Sequence, residues 1–149
     1  MDPLGVYLPQ DRLCAVARGA TLPDRAQGAG LFADISGFTP LTEALTQQLG
    51  PRRGAEELTR QLNRVYDAVI VEVHRFHGSV IGFSGDAITC WFDGDDGLRA
   101  IAAALAMQQA MQAFATVSLP GGATASLAMK TGIATGPARR FVEIGRAHV

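Results

Sequence analysis

Apolar residues recur along the chain with two different periods, one helical and one of β type. The clearest helical stretch runs from Ala55 to about Phe76, where apolar side chains recur every three or four positions. These side chains are Leu58, Leu62, Val65, Tyr66, Val69, Ile70, Val73 and Phe76. The spacing predicts a long helix with one apolar face. A shorter helix is predicted from Thr39 to Leu49, ended by Gly50 and Pro51.

Short apolar runs of β type alternate with these helices. The run from Gly30 to Ile35 predicts one strand, and two runs between Ser79 and Phe92 predict a hairpin with Gly85-Asp86 at its tip. An alanine-rich helix is predicted from Gly97 to about Phe114, and a last strand from Ala125 to Thr135. The predicted order is therefore β-α-α-β-β-α-β, with the first strand beside the hairpin.

Two acidic residues stand where predicted strands end. Asp34 closes the first strand, and Ser36, Gly37 and Thr39 after it suit a tight turn that opens a helix. Unpaired N–H groups at a helix start attract phosphate, but a neighbouring carboxylate repels phosphate unless a cation lies between them. Asp86 at the hairpin tip supplies a second carboxylate, which suggests two divalent cations and a nucleoside triphosphate. Taken singly, the two acids fit a helix cap and a turn residue.

Two motifs occur in order, separated by the long predicted helix: Phe32-Ala33-Asp34-Ile35-Ser36-Gly37-Phe38-Thr39 and Phe83-Ser84-Gly85-Asp86-Ala87. Together they resemble the class III nucleotidyl cyclase catalytic domain, most closely its soluble, bicarbonate-responsive adenylyl cyclase type. The similarity extends from about Gly30 to about Pro137. It implies an α+β fold with the ferredoxin-like βααββαβ cyclase core, here C-terminally incomplete.

The resemblance also implies roles for individual residues. Asp34 and Asp86 would hold two Mg²⁺ or Mn²⁺ ions, with the backbone carbonyl of Ile35 completing one coordination shell. The residues expected to bind the nucleotide are Ser36, Gly37, Phe38, Thr39 and Gly85. ATP is the expected substrate and GTP the alternative, and the products would be a 3′,5′-cyclic nucleotide and pyrophosphate.

The family's site forms between two cyclase domains, so the resemblance implies a second cyclase domain as partner, in a homodimer or within one chain. Many relatives carry a lysine where this chain has Gly82, and the Asn and Arg that stabilise the transition state come from a later part of the domain. The alternative is therefore a catalytically silent half that binds nucleotide or regulates a partner. A diguanylate cyclase is a third reading, but its Gly-Gly-Asp/Glu-Glu-Phe string is absent between Phe83 and Ile88. Arg139 and Arg140 are predicted to lie on the surface.

Composition narrows the class of protein. With 149 residues, 48% hydrophobic and 18% charged, the chain fits one globular domain. The formal net charge of −1 argues against a nucleic-acid or membrane-surface partner. No run approaches the roughly 18 apolar residues of a membrane span, so a cytoplasmic location is predicted. Cys14 and Cys90 are predicted to be buried free thiols.

Three segments are predicted along the chain: a leader (1–29) with a helical turn or two from Leu13 to Ala17, a partial class III cyclase domain (30–142) and a non-native tail (143–149). The tail is what GAG ATC GGA AGA GCA CAC GTC would encode, a common sequencing-adapter string, so its residues are excluded from the site. The acidic run from Asp93 to Asp96 is predicted to be a loop and helix cap rather than a metal cluster.

Overall fold

A computed structural model of the chain describes residues 9–119, 121–122 and 124–141. The predicted tail lies outside these described residues. The helices are α1 (Gln10–Ala17), α2 (Phe38–Arg75) and α3 (Leu98–Met111), the last followed by a 3₁₀ turn (Gln112–Phe114). The strands are β1 (Arg25–Ser36), β2 (Ser79–Ser84), β3 (Ala87–Asp93), β4 (Val117–Ser118), β5 (Thr124–Ala125) and β6 (Ala128–Arg139).

Four of the strands form one antiparallel sheet in the order β2-β3-β1-β6. The first strand therefore lies beside the hairpin, and the α+β prediction is confirmed. The last strand begins and ends later than predicted. The short strands β4 and β5, which pair with each other ahead of β6, were not predicted.

Alternation along β1 gives the sheet two different faces. Leu31, Ala33 and Ile35 are fully buried against the helices, whereas the residues between them point to the opposite side. We call that side the open face. It is defined by β1 residues and by the residues directly opposite them on the neighbouring strands: Phe32, Asp34, Thr89, Trp91 and Lys130.

The two predicted helices after β1 form one run with a kink. Gly50, at φ 80° and ψ 169°, departs from helical geometry, and Pro51 follows it. The second part presents Val65, Val69 and Val73, all fully buried, to the core. The predicted apolar face is confirmed. None of the helices in the described ranges combines the length and apolar composition needed to cross a bilayer.

The acidic run before α3 is a helix cap, as predicted. The buried carboxylate of Asp95 accepts hydrogen bonds from the backbone N–H groups of Arg99 (3.1 Å) and Ala100 (3.0 Å). Asp96 accepts a third, from Leu98 N–H at 3.2 Å. Three donors at the helix start are therefore satisfied by side chains rather than by water.

Two predictions about single residues are wrong. The Arg140 side chain is only 13% exposed, because its guanidinium pairs with Asp93 at 2.6 Å and with Asp11 of α1 at 3.8 Å. The surface prediction missed that the ends of α1, β3 and β6 meet at this point. Cys14 is exposed rather than buried, since α1 is a surface helix, whereas Cys90 is buried in β3 as expected.

Candidate active site

The two acidic residues of the motifs lie on adjacent strand ends. Asp34 of β1 is directly opposite Ala87 of β3, the residue that follows Asp86. The N–H of Ile35 donates a hydrogen bond of 3.1 Å to the backbone carbonyl of Asp86. The structure thus brings the two acids together across one inter-strand hydrogen bond, although a long helix separates them in sequence.

The donor set fits an open divalent site. Asp34 is half-buried and Asp86 is exposed, so both can share a ligand with solvent and substrate. No group of three or more His, Cys, Asp or Glu side chains that could hold a metal ion is found among the described residues. Two carboxylates suffice for Mg²⁺, which keeps several waters and binds substrate phosphates rather than an all-protein cage.

The start of α2 lies directly after the first acid. Gly37 precedes the helix at φ 103°, and a Cβ there would come within 3.1 Å of the Leu127 side chain and closer still to the Ser126 carbonyl. Only glycine fits this approach. Because Pro40 has no N–H, the unpaired donors of the first turn come from the residues before it. No acidic side chain occupies that turn.

Ser36, Phe38 and Thr39, the other predicted nucleotide-binding residues of the first motif, occupy different environments. The Ser36 hydroxyl donates to the Ala128 carbonyl of β6 at 3.4 Å. Phe38 is buried and its side chain belongs to the core, whereas Thr39 is exposed at the first turn of α2. Their backbone amides are therefore the groups that can face a ligand, whereas the Ser36 side chain bonds to β6 and the Phe38 side chain packs in the core.

Lys130 is a candidate site residue that the sequence alone did not indicate. It lies directly opposite Asp34 on β6, so both side chains point to the open face with their Cβ atoms about 5 Å apart. Lys130 is exposed, and it is the only lysine of the chain. The pattern placed it in a strand, but only the register shows that it lies directly opposite the first acid.

Gly82 occupies a free position on the sheet. It pairs with Thr89, which in turn pairs with Phe32, so these residues form a row next to the row that contains Asp34. A Cβ at Gly82 would meet no atom within 4 Å. The position at which the resemblance led us to look for a lysine therefore carries no side chain and is sterically open.

Tyr66 is a second residue that the pattern did not single out. Its hydroxyl donates to the carbonyl of Gly85 at 3.3 Å, and its ring meets the ring of Phe83 edge-on, with centroids 5.6 Å apart. Burial, and then the negative charge of Asp86, raise the pKa of the Tyr66 phenol above its ordinary value. The sequence indicated only that Tyr66 belongs to the apolar face of α2, because its contact with the hairpin depends on packing.

Proteins of known function with similar sequences indicate the family of this chain. No protein-family profile matches the chain. Adenylate cyclase type 10 of Oryctolagus cuniculus and of Homo sapiens are each 40% identical to it over 65 residues, which is 44% of this chain. The chain spans only 4% of the length of these curated relatives.

Solved structures match over more of the chain. The adenylyl cyclase CyaB from P. aeruginosa is 27% identical with a TM-score of 0.59, covering 76% of this chain and 57% of that one. The guanylyl cyclase Cya2 is 29% identical with a TM-score of 0.58, covering 76% and 56%. This chain is a class III nucleotidyl cyclase domain. A bacterial light-regulated adenylyl cyclase, 19% identical, shares the fold of this cyclase domain with a TM-score of 0.70 over 91% of the chain and 39% of that one.

The cyclase domain thus brings its two motif acids and Lys130 to the same end of the sheet. Three separate elements, β1, the tip of the β2–β3 hairpin and β6, contribute one of these groups each. Two carboxylates and an ammonium group beside a helix start can bind cations and the phosphates of a nucleotide together.

Proposed function

We propose that this cyclase domain, paired with a second cyclase domain, converts a nucleoside triphosphate into a 3′,5′-cyclic nucleotide and pyrophosphate, with ATP the expected substrate and GTP the alternative. The observation that supports this most directly is the adjacency of Asp34 and Asp86 beside the start of α2. In the reaction the ribose 3′-oxygen bonds to the α-phosphorus while the bond from that phosphorus to the leaving pyrophosphate breaks.

Asp34 and Asp86, with the Ile35 carbonyl, would hold two Mg²⁺ or Mn²⁺ ions. When bound, these ions lower the pKa of the 3′-hydroxyl and neutralise charge on the phosphates. The two carboxylates come from adjacent strands, so each one holds its ligand on a rigid element rather than on a loose loop. Removing either one leaves the remaining acid too weak a site for a hard dication.

The backbone amides of Ser36, Gly37, Phe38 and Thr39, together with Gly85, would face the phosphates. The sharp turn at Gly37 directs the first amides of α2 outward, and the positive end of the helix dipole adds to the attraction. Lys130, opposite Asp34, would place a positive charge next to the same phosphates. The amides orient the phosphate chain, and the ammonium group balances its charge.

The partner would be a second cyclase domain, in a homodimer or an intramolecular pair. Phe32, next to the Asp34 row, is 47% exposed on the open face, and Trp91 is half-buried there. Exposed aromatic side chains beside a polar site are typical of a surface that a partner covers. A partner in this position would close the site against water.

One observation favours the second candidate, a silent half that binds nucleotide or regulates a partner. Gly82 leaves empty the position at which many relatives carry lysine. Without that cation, the hairpin (79–93) contains no Lys or Arg of its own. In this case nucleotide would bind with measurable affinity but would not be cyclised.

The test is cyclic-nucleotide formation by the purified whole protein with ATP or GTP and Mn²⁺, alongside equilibrium binding of the same nucleotides. Asp34→Asn should abolish turnover, whereas Asp67→Asn, which changes an exposed acid of α2, should leave turnover within about twofold of wild type. Unchanged turnover in Asp34→Asn would rule out its metal role. Nucleotide binding without turnover in the wild type would favour the silent half.

We also propose that residues 143–149 are not native and that the leader, predicted to cover residues 1–29, ends where β1 begins at Arg25. Amplifying the gene from its source and reading the codons after residue 142 tests the first point. Native codons that continue with the same seven residues would contradict it.

A further inference from the structure

The hairpin tip that carries Asp86 is held at two consecutive carbonyl groups by two different elements. From β1, the N–H of Ile35 donates to the Asp86 carbonyl at 3.1 Å. From α2, the hydroxyl of Tyr66 donates to the Gly85 carbonyl at 3.3 Å. The first carbonyl belongs to the peptide plane after the Asp86 Cα and the second to the plane before it.

These two planes set the direction of the Asp86 side chain. Rotation of either plane about the Cα changes φ or ψ and swings the bond from Cα to Cβ. Gly85 is at φ 62°, and because glycine has no side chain, its backbone offers little steric resistance to rotation of the peptide plane that follows it. Among the described residues no donor bonds the Asp86 carboxylate itself, so the backbone anchors decide where it points.

We infer that Tyr66 is a positioning residue for Asp86: its hydroxyl fixes the peptide plane before the metal-binding carboxylate. This inference rests on the proposed function. The hydrogen bond from the Ile35 N–H belongs to the regular pairing of the sheet, so it does not depend on a particular side chain. The hydrogen bond to the Gly85 carbonyl depends on one side chain, the phenol of Tyr66 on α2.

The phenol is itself well placed to hold the tip. Its ring meets Phe83 of β2 at an interplanar angle of 87°, a geometry that aromatic pairs favour. Its neighbours on α2, Val65 and Val69, are fully buried in the core, so the helix cannot shift away from the hairpin without opening the core. A tyrosine phenol is protonated at neutral pH, so its hydroxyl can donate.

The test is Tyr66→Phe in the whole protein, which keeps the ring contact with Phe83 and removes only the hydroxyl. The matched control is Thr59→Val, which removes another hydroxyl of α2 that donates to a carbonyl, that of Ala55 at 2.9 Å. Mn²⁺ affinity is measured by electron paramagnetic resonance titration, and KM and kcat with Mn²⁺ and ATP are measured in parallel. Melting temperature is recorded for each variant.

Tyr66→Phe should weaken Mn²⁺ binding by about threefold to tenfold, the range expected for one neutral hydrogen bond. KM for the nucleotide should rise with it, while Thr59→Val stays within about twofold of wild type. A lower melting temperature with unchanged Mn²⁺ affinity would show a purely structural role and overturn the inference. If Tyr66→Phe does not fold, Phe83→Leu is measured instead, because it removes the ring contact that places the phenol. A loss of Mn²⁺ affinity smaller than that of Asp86→Asn supports the inference, whereas unchanged affinity or a loss as large as that of Asp86→Asn overturns it.

Asp86→Asn separates this inference from the proposed function. If Asp86→Asn removes Mn²⁺ binding and Tyr66→Phe leaves it unchanged, only the role of Tyr66 fails. If Asp86→Asn also leaves Mn²⁺ binding unchanged, the proposed metal site fails, and the inference about Tyr66 fails with it.

Discussion

Lys130 of β6 lies directly opposite Asp34 of β1, and both side chains point to the open face of the sheet. Residues directly opposite each other on one face of a sheet can contact one ligand together, so the ammonium group is within reach of phosphates bound near Asp34. When a triphosphate binds, the same ammonium group faces an excess of negative charge. The pair therefore gains more from an anionic ligand than an isolated aspartate would.

Lys130→Ala should raise KM for the nucleotide by about tenfold to a hundredfold, because a hydrogen bond to a charged group is lost. Lys130→Arg should retain part of the affinity, and kcat should change less than KM. Steady-state kinetics with ATP and Mn²⁺ provide the measurement. The control is Arg139→Ala, an exposed cation at the other end of the same strand. Equal effects of the Lys130 and Arg139 substitutions would show that only general charge matters.

The same residue can be tested chemically. Because Lys130 is the only lysine of the chain, an amine-reactive reagent has one side chain to modify. ATP with Mn²⁺ should slow that modification, as followed by peptide mass spectrometry. Modification at the same rate with and without nucleotide would contradict a position beside the phosphates.

Asp95→Ala should destabilise the domain by about 1–2 kcal/mol, since the carboxylate caps the start of α3. Burial alone raises the pKa of the Asp95 carboxyl, but hydrogen bonds from Ala100 and Arg99 and the Arg99 charge outweigh it, so the pKa lies below 3.8. The contribution is therefore fully present above pH 3.8 and is lost as the pH falls through the lower pKa of the folded state.

Urea unfolding of wild type and Asp95→Ala at pH 7 and in acid measures that difference. The two proteins should differ at pH 7 and converge as the pH falls. Asp96→Ala is the control, because its exposed carboxylate accepts only the Leu98 N–H and should cost less. A difference that stays constant into acid would show that the ionised carboxylate is not the stabilising form.

Only one of the two thiols should react in the folded protein. Burial raises the pKa of the Cys90 thiol to about 12, so almost no thiolate is present at neutral pH. Cys14 is exposed on α1. A thiol reagent should modify one group rapidly under native conditions and two in denaturant. Cys14→Ser should then show almost no native reaction, and rapid native labelling of that variant would contradict the burial of Cys90.

Gly82→Lys should leave the free energy of unfolding unchanged or raise it by about 0.5–1 kcal/mol, because glycine is unfavourable within a strand. The new side chain enters open space, and thermal unfolding measures the change. If the empty position limits nucleotide binding, affinity for ATP should rise as well. Gly82→Ala separates the backbone effect from the charge, and equal ATP affinities of the two variants would show that charge at this point is irrelevant.

Local signals in the sequence predicted much of the fold. The long apolar period of α2, the Gly85-Asp86 turn and the Asp95 cap each depend on residues close together in sequence, so each could be read directly. The start of β1 at Arg25 could not be predicted. Residues 25–29 have little β propensity. They form a strand because β6 pairs with all five of them and β3 pairs with Gly28 and Ala29.

The parts of the site that were missed depend on long-range pairing. Asp34 and Asp86 were found because each lies within a recognisable motif. Lys130 faces Asp34 only through the register of β6, and Tyr66 reaches Gly85 only through the packing of α2 on the hairpin. The spacing of apolar residues along a strand or a helix does not show that Lys130 lies opposite Asp34 or that Tyr66 reaches Gly85.

Arg140 fastens α1 to the far end of the sheet. The Asp93 carboxylate oxygen that receives its guanidinium also receives the indole N–H of Trp91, at 3.0 Å. A displacement of α1 would therefore act, through these two polar contacts, on the aromatic ring of Trp91 on the open face. A segment that displaced α1 would be expected to disturb that ring without touching a bound nucleotide.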